Sequence, residues 1–157
     1  ASKSQKRLKN KNKNLTIKIS TKIQPTYWPL YQRYITSRHS DGSMFPPNKE
    51  QLLSFAQCDW MNIQFIELYL QDQLISVAVV DRTPNALSAA YTFFDPDFTK
   101  LSLGSYSILL QIDLALKNNI EFVYLGYFIG SCPSMKYKQN FMPNARFIQD
   151  KWIIFKN

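Results

Sequence analysis

Cysteine, histidine and glycine are all scarce in this 157-residue chain, and each shortage excludes a kind of site. Cys58 and Cys132 are too few for a disulfide framework, which favours a reducing compartment and predicts a cytoplasmic protein. His39 is the only histidine, and its spacing from the cysteines fits no zinc site, so we expect no metal. The four glycines form neither a phosphate-binding loop nor a dinucleotide fingerprint, and we expect no cofactor.

Long apolar stretches are also missing. A membrane helix needs roughly 18 consecutive apolar residues, whereas the longest apolar run, 120–129, is interrupted by Glu121 and Gly126. The basic N-terminus is not followed by the hydrophobic region of a signal peptide. These observations predict no membrane partner. A hydrophobic content of 45% with 15% aromatic residues predicts instead a globular, aromatic-rich core.

Acidic residues are absent from residues 1–22, which hold eight of the 19 basic ones. The other eleven basic residues equal the eleven acidic ones in number, so the net charge of +8 lies entirely in this segment. We therefore divide the chain into a basic N-terminal segment, 1–22, and a domain, 23–157. Such a segment either tracks the phosphates of a nucleic acid or remains a solvated arm.

The order of periodic segments predicts an α+β fold. Short strand and helix patterns over 15–57 precede three consecutive strands, which are predicted over 62–70, 74–82 and 86–94. The best helical pattern follows at 103–117, then a buried strand at 121–128 and a closing hairpin at 146–155. This order predicts a mixed, mainly antiparallel sheet flanked by helices, with one βαβ crossover around the main helix.

The passage from the third strand into the main helix is the most distinctive local feature. Ser102 and Gly104 lie where backbone N–H groups at a helix start are free to hold an anion or a polar acyl group. Ser102 is equally suited to be a simple helix cap. Asp95, between Phe94 and Pro96, is either a turn residue or a carboxylate at the end of a strand that carries Tyr91.

Several of these segments together resemble a known family. The motifs that carry the resemblance, in chain order, are Arg33-Tyr34, Arg38-His39, Asp41-Gly42-Ser43-Met44-Phe45-Pro46-Pro47, Asp81, Leu87–Asp97, Leu101–Gly104, Tyr124–Tyr127 and Met135–Lys138. They resemble the C-terminal domain of aminoacyl-tRNA–protein transferases of the N-degron pathway, and most of all the bacterial aspartate/glutamate leucyltransferases. The resemblance spans about residues 1–152.

The resemblance implies a GNAT-type acyltransferase fold, a leucyl-tRNA donor, and acceptor proteins with N-terminal Asp or Glu. The family also has an N-terminal cysteine-containing domain that these residues lack, so we expect the chain to be part of a longer enzyme. The oligomeric state stays undefined. Three alternatives remain open: an arginyl-tRNA–protein transferase, an acyl-CoA-dependent N-acetyltransferase, and a non-catalytic RNA-binding module.

The resemblance also implies roles for individual residues. Tyr91 and Asp95 are the catalytic candidates, which would position and help to deprotonate the incoming amine. The substrate-binding candidates are Arg38, His39, Ser88, Phe94, Ser102, Leu103, Gly104 and Tyr124. Among them, Arg38 would pair with the acidic side chain of the acceptor, and the turn at 102–104 would hold the donor ester. The candidates for contact with nucleic acid are Lys3, Lys6, Arg7, Lys9, Lys136 and Lys138.

Overall fold

A computed structural model describes residues 1–156 of the chain. The helices are α1 (Lys3–Lys11), α2 (Tyr27–Arg38), α3 (Lys49–Ala56), α4 (Leu103–Lys117) and α5 (Pro133–Lys136), with short 3₁₀ helices at Pro96–Leu101 and Tyr137–Asn140. The strands are β1 (Thr16–Ser20), β2 (Asn62–Leu70), β3 (Gln73–Arg82), β4 (Ala86–Phe94), β5 (Phe122–Tyr124), β6 (Asn144–Ile148) and β7 (Lys151–Phe155). These elements form two compact units, Ala1–Tyr124 and Leu125–Asn157.

The first unit is built on a five-stranded sheet with the strand order β1-β2-β3-β4-β5. Neighbouring strands are antiparallel from β1 to β4, and β4 pairs in parallel with β5. The chain connects these two strands through α4, as a parallel pair requires. The predicted α+β class, the three consecutive strands and the crossover are therefore confirmed.

Alternation along the strands covers both faces of this sheet. Phe65, Val77 and Phe93 belong to a core cluster with α2 and α3, whereas Ile66 and Ala78 belong to a cluster with α4. Successive side chains of a strand point to opposite faces, and β2, β3 and β4 each contribute to both clusters. The sheet is thus a middle layer between helices.

The basic N-terminal segment contains an element of this sheet. Residues 1–22 include α1 and β1, and β1 pairs with β2 from Thr16 to Ser20. The Ser2 side chain accepts a hydrogen bond from the Gln5 amide in a capping box, which begins α1. The predicted boundary between residues 22 and 23 stays a prediction about function, since β1 is part of the same sheet as β2–β5.

The prediction of a buried strand over 121–128 is wrong in length and burial. Only Phe122–Tyr124 forms a strand, and the side chains of Phe122 and Tyr124 are 43% and 45% exposed. This strand pairs with β4 over three positions. Gly126 then takes a left-handed backbone conformation, with φ of 74°, which interrupts an extended chain.

The second unit contains the predicted closing hairpin, β6–β7, in antiparallel register. Arg146 of β6 makes two cation–π contacts, with its guanidinium 4.5 Å from the ring centre of Phe128 and 4.2 Å from that of Phe155. In both units, no helix of residues 1–156 has the length and apolarity to cross a membrane.

Candidate active site

Three element ends meet around the ring of Phe94, the last residue of β4. The end of α2 contributes Tyr34, whose ring centre lies 5.0 Å away, and Arg38, whose guanidinium lies 5.8 Å above the ring. His39 follows Arg38, and its Nε2 lies 3.3 Å from the Tyr34 hydroxyl. The start of α4 contributes Gly104, facing the Phe94 edge. The structure thus brings together the predicted residues Arg38, His39, Phe94 and Gly104.

The turn into α4 leaves backbone donors free. Ser102 has φ of 52° and ψ of 47°, and its side chain makes no capping hydrogen bond to the helix. The interpretation of Ser102 as a side-chain cap is therefore wrong, although it occupies the capping position. The first N–H groups of a helix have no intrahelical partner. Leu103 is fully buried, whereas Gly104 and Ser105 are partly exposed, so the N–H groups of Gly104 and Ser105 are available to a ligand.

The space above Gly104 is open. A β-carbon added there would meet one atom of another segment within 4 Å in the described chain, Cε1 of Phe94 at 3.9 Å. That distance is an ordinary contact, so internal packing does not require glycine. Together with the free N–H groups and the positive end of the α4 dipole, this opening suits a ligand with a carbonyl or anionic oxygen.

Tyr91 lies next to this site, and its side chain packs against neighbouring aromatic residues. Its ring stacks on Phe55, with centres 4.6 Å apart, and approaches Tyr34 at 6.4 Å. Its hydroxyl donates to Sδ of Met44 at 3.3 Å. Burial raises the pKa of the Tyr91 hydroxyl well above its ordinary value. Tyr91 therefore remains a neutral hydrogen-bond donor that shapes the α2 side of the site.

Asp95 is buried, and both of its carboxylate oxygens are occupied. Oδ1 accepts the N–H of Asp97 at 3.1 Å, while Oδ2 accepts from Arg33 at 2.8 Å and from the Gln73 amide at 3.2 Å. Its side chain is 2% exposed. These contacts give Asp95 a structural role, because they join α2, the start of β3 and the 3₁₀ helix that precedes α4. Its predicted role in deprotonating an amine stays a prediction.

Arg33 and Gln73 are the residues that sequence reasoning missed here. Arg33 bridges two carboxylates, since its second nitrogen donates to Asp97 at 2.9 Å. Arg33 is present in the quoted motif beside Tyr34, and that was its only signal. Gln73 offered none, because a glutamine at the start of a strand is unremarkable in sequence.

His39 has a perturbed environment. Partial burial and the neighbouring Arg38 guanidinium lower the pKa of the imidazole below its ordinary value. His39 is therefore mostly neutral at pH 7, and one ring nitrogen has a lone pair. His39 can therefore accept a proton at this site.

Ser88 and Tyr124 lie elsewhere. They are register partners in the β4–β5 pair. Ser88 precedes Phe94 by six positions in β4, which is about 20 Å along an extended strand. The structure does not bring these two predicted substrate-binding residues to Phe94.

Several basic residues lie on α1, and contacts near the end of this helix hold it against the turn into α4. Lys9 is paired with Asp113 of α4 at 2.6 Å. Lys11 donates to the carbonyl of Lys100, and Asn12 donates to that of Leu101 at 3.1 Å. The end of α1 therefore lies beside the turn into α4. The predicted nucleic-acid contacts Lys3, Lys6 and Arg7 are exposed on this helix.

Lys136 and Lys138 belong to the second unit. Lys136 is exposed, whereas Lys138 donates to the carbonyl of Tyr127 at 2.8 Å, and partial burial lowers its pKa. Lys138 thus has a role inside its own unit. Within residues 1–156, no group of three or more His, Cys, Asp and Glu side chains is arranged to hold a metal ion.

The fold is that of an acyltransferase. The chain is similar to the crystal structure of the ribosomal-protein-S18-alanine N-acetyltransferase from Escherichia coli, with a TM-score of 0.59 over 83% of this chain and 79% of that one. Identity is 16%, so the likeness shows the fold alone. This GNAT-type fold agrees with the fold that the sequence resemblance implied.

Sequence relatives define the family. The profile described as "Arginine-tRNA-protein transferase, C terminus" matches residues 26–148. The aspartate/glutamate leucyltransferases of Pseudoalteromonas atlantica and Aeromonas salmonicida are 46% and 44% identical over 151 residues, or 96% of this chain. The chain belongs to this family of aminoacyl-tRNA–protein transferases. It spans 65% and 63% of the length of those two relatives.

Proposed function

We propose that the chain carries the transfer site of an aspartate/glutamate leucyltransferase. Leucine would pass from leucyl-tRNA to the α-amine of a protein that begins with Asp or Glu, and the product would be marked for degradation. The observation that carries the proposal is the meeting of the free α4 N-terminus with Arg38 and His39 across Phe94. The names of the two relatives support the choice of substrates.

The donor would lie at the turn into α4. The carbonyl oxygen of an aminoacyl ester becomes negative as the amine attacks, and backbone N–H groups at a helix start stabilise such charge. The N–H groups of Gly104 and Ser105 meet this need. The exposed cations of α1 would contact the tRNA phosphates nearby, because α1 is held against Lys100 and Leu101.

The acceptor would lie on the α2 side. Arg38 is exposed and takes part in none of the ion pairs of residues 1–156. Arg33, five residues earlier, is fully engaged with Asp95 and Asp97. Arg38 is therefore the free guanidinium at the site, and a planar guanidinium suits the carboxylate of an N-terminal Asp or Glu.

The chemistry needs positioning more than strong base catalysis. The amine nitrogen bonds to the ester carbonyl carbon, the bond from that carbon to the tRNA 3′ oxygen breaks, and one proton passes from the amine to the departing oxygen. An α-amine has a pKa of about 8, so about a tenth is already neutral at pH 7. From the protonated remainder, His39 would accept one proton and release it to water, and the proton that the nitrogen gives up after its attack would pass to the leaving oxygen.

His39 gives a direct pH prediction. As the sole histidine, it yields one set of imidazole NMR signals, and we expect them to titrate below the ordinary pKa of 6.5. Protonation is then weaker in the folded than in the unfolded chain, so the free energy of unfolding falls as pH drops below about 6.5. His39→Asn should remove this fall. The same variant should slow leucyl transfer at pH 7 by roughly tenfold, because about a tenth of the acceptor amine is neutral without help from a base. A pKa above 6.5 would contradict the assigned environment.

Gly104→Ala tests the donor side. Alanine within a helix is favoured over glycine by about 0.5–1 kcal/mol, so the variant should be at least as stable as the parent in chemical denaturation. Its methyl group enters the space above Phe94, and we expect kcat/KM for leucyl-tRNA to fall about tenfold. Ser105→Ala, at the next position, is the matched control. Unchanged kinetics in Gly104→Ala would place the donor away from this turn.

The proposed function itself is tested by incubation with radiolabelled leucyl-tRNA and a peptide that begins with Asp. Leucylation of the peptide N-terminus supports the proposal, and parallel reactions with arginyl-tRNA and acetyl-CoA distinguish the other donors. Transfer from acetyl-CoA alone would overturn the proposal. The same assay on a chain of the relatives' full length separates a wrong assignment from a need for further residues.

A further inference from the structure

A depression at the edge of the sheet lies outside the candidate active site. It is formed by β1, the segment that follows β1, the start of α2 and one face of β2, and it has a volume of about 680 Å³. That volume is within the usual range for ligand sites, about 300–1,000 Å³. We call it the β1 depression, and its lining consists of Lys18, Ile19, Ser20, Thr21, Lys22, Gln24, Pro25, Thr26, Glu67 and Tyr69.

Its inner wall carries a carboxylate without a cation. Glu67 is 4% exposed and accepts hydrogen bonds from the hydroxyls of Tyr27 and Tyr69. None of the ion pairs in residues 1–156 includes it. Burying an unpaired carboxylate is costly, and such groups concentrate at functional sites.

The two tyrosines leave acceptor capacity on Glu67. Burial and the adjacent Glu67 raise the pKa of both the Tyr27 and the Tyr69 hydroxyl, so both remain donors at neutral pH. One hydroxyl donates to each carboxylate oxygen. Since each oxygen has two lone pairs, each can accept one more N–H from a ligand.

The rim of the β1 depression has the opposite charge. Lys18 and Lys22 are exposed there. Lys18 is the register partner of Glu67, yet its ammonium lies 4.6 Å from the ring centre of Tyr69 and forms no ion pair with Glu67. A cationic ligand would be repelled by the two lysines on entry. The fitting ligand has an anionic outer part and a neutral N–H donor on its inner part.

A nucleotide has this arrangement, with phosphate outside and a base edge inside. Cytosine, adenine and guanine carry an amino group that can donate a hydrogen bond to a carboxylate. Uracil has carbonyl oxygens on both sides of its single N–H, and these repel a carboxylate. We propose that the β1 depression binds one unpaired, amino-bearing nucleotide of an RNA strand, read by Glu67 and held by Lys18 and Lys22. This inference rests on the proposed function, because the tRNA donor would supply the strand.

Binding of fluorescently labelled oligocytidine and oligouridine of equal length tests the proposal by anisotropy at fixed salt. We expect the parent chain to bind oligocytidine about tenfold more tightly. Glu67→Gln, which replaces one acceptor oxygen by an amide donor, should reduce that preference to near one. Equal affinities in the parent, or a preference that survives in Glu67→Gln, would overturn the proposal.

A second pair of variants avoids the buried carboxylate. Thr21→Glu places a negative charge on the lining of the β1 depression, and Thr16→Glu places the same charge on β1 outside that lining. We expect only the first to lose the oligocytidine preference. Lys18→Ala and Lys22→Ala should each weaken the binding of both oligomers. Each should also reduce the slope of log affinity against log salt concentration by about one, the value of one phosphate contact. Lys117→Ala is their control.

Leucyl transfer measured on the same variants separates the two proposals. If the base preference is absent while transfer occurs, the β1 depression is not a nucleotide site but the proposed function stands. If the preference is present and neither this chain nor one of the relatives' full length transfers leucine, the β1 depression binds RNA and the proposed function fails.

Discussion

Asp95→Ala should lower the free energy of unfolding by about 3 kcal/mol. The substitution removes the acceptor for three donors that come from three elements: Arg33 of α2, Gln73 at the start of β3, and the N–H of Asp97. Arg33 is half exposed, so water will satisfy part of its loss. The effect remains large because two partly buried hydrogen bonds, from the Gln73 side chain and from the Asp97 N–H, are lost as well. Chemical denaturation followed by tryptophan fluorescence measures it.

Asp97→Ala is the matched control. Asp97 pairs with the same guanidinium at 2.9 Å, but its side chain is 75% exposed, so its removal should cost less than about 1 kcal/mol. Asp95→Asn then separates structure from catalysis. If Asp95→Asn unfolds like the parent but abolishes leucyl transfer, Asp95 is the catalytic carboxylate that the sequence predicted, and the structural role argued from its hydrogen bonds is wrong.

Asp95 illustrates what a single sequence can and cannot reveal. The local pattern places a carboxylate at the end of a strand, and the structure confirms that position. The partner that occupies the carboxylate lies 62 residues earlier, on a helix. Nothing in the spacing of Arg33 and Asp95 indicates their contact, because it depends on how α2 crosses the sheet. The position of Asp95 was therefore predictable from the sequence, whereas its contact with Arg33 was not.

The helices and strands that the sequence predicts follow the same rule: local patterns are reliable, whereas features that depend on distant contacts are not. Residues 62–94 and 103–117 were predictable because their periodicity persists over long segments. The strand at 121–128 was overextended because an apolar run does not reveal that its neighbour pairs at only three positions. The prediction of a Ser102 side-chain cap is wrong for a local reason. Ser102 adopts a left-handed backbone conformation, which is uncommon for serine and cannot be inferred from the residue type.

Arg33 and Arg38 show how one helix can serve both the fold and the site. They lie five positions apart on α2, a little over one helical turn. Arg33 is held by two carboxylates, whereas Arg38 projects over Phe94 with no ion pair in the described chain. Loss of Arg33 should therefore disturb the turn that carries the donor, whereas loss of Arg38 should leave that turn intact.

Arg38→Met should lower kcat/KM for acceptor peptides that begin with Asp or Glu by about 100-fold. A hydrogen bond to a charged group contributes about 1.5–3 kcal/mol, which corresponds to a change of roughly 10- to 150-fold in rate. Peptides that begin with Asn or Gln lack the charge and should lose far less, so discrimination between Asp and Asn narrows. Arg38→Lys should recover only part of the loss, because an ammonium cannot replace a bidentate guanidinium.

Two controls make this result specific to acceptor recognition. Arg82→Met removes an equal charge from the end of β3, next to Leu87 and away from Phe94, and should leave acceptor preference unchanged. The KM for leucyl-tRNA should also stay constant in Arg38→Met, since the proposed donor site lies at the start of α4 and not on α2. An equal loss on Asp, Glu, Asn and Gln peptides would show that Arg38 supports the structure of the site and does not read the acidic side chain.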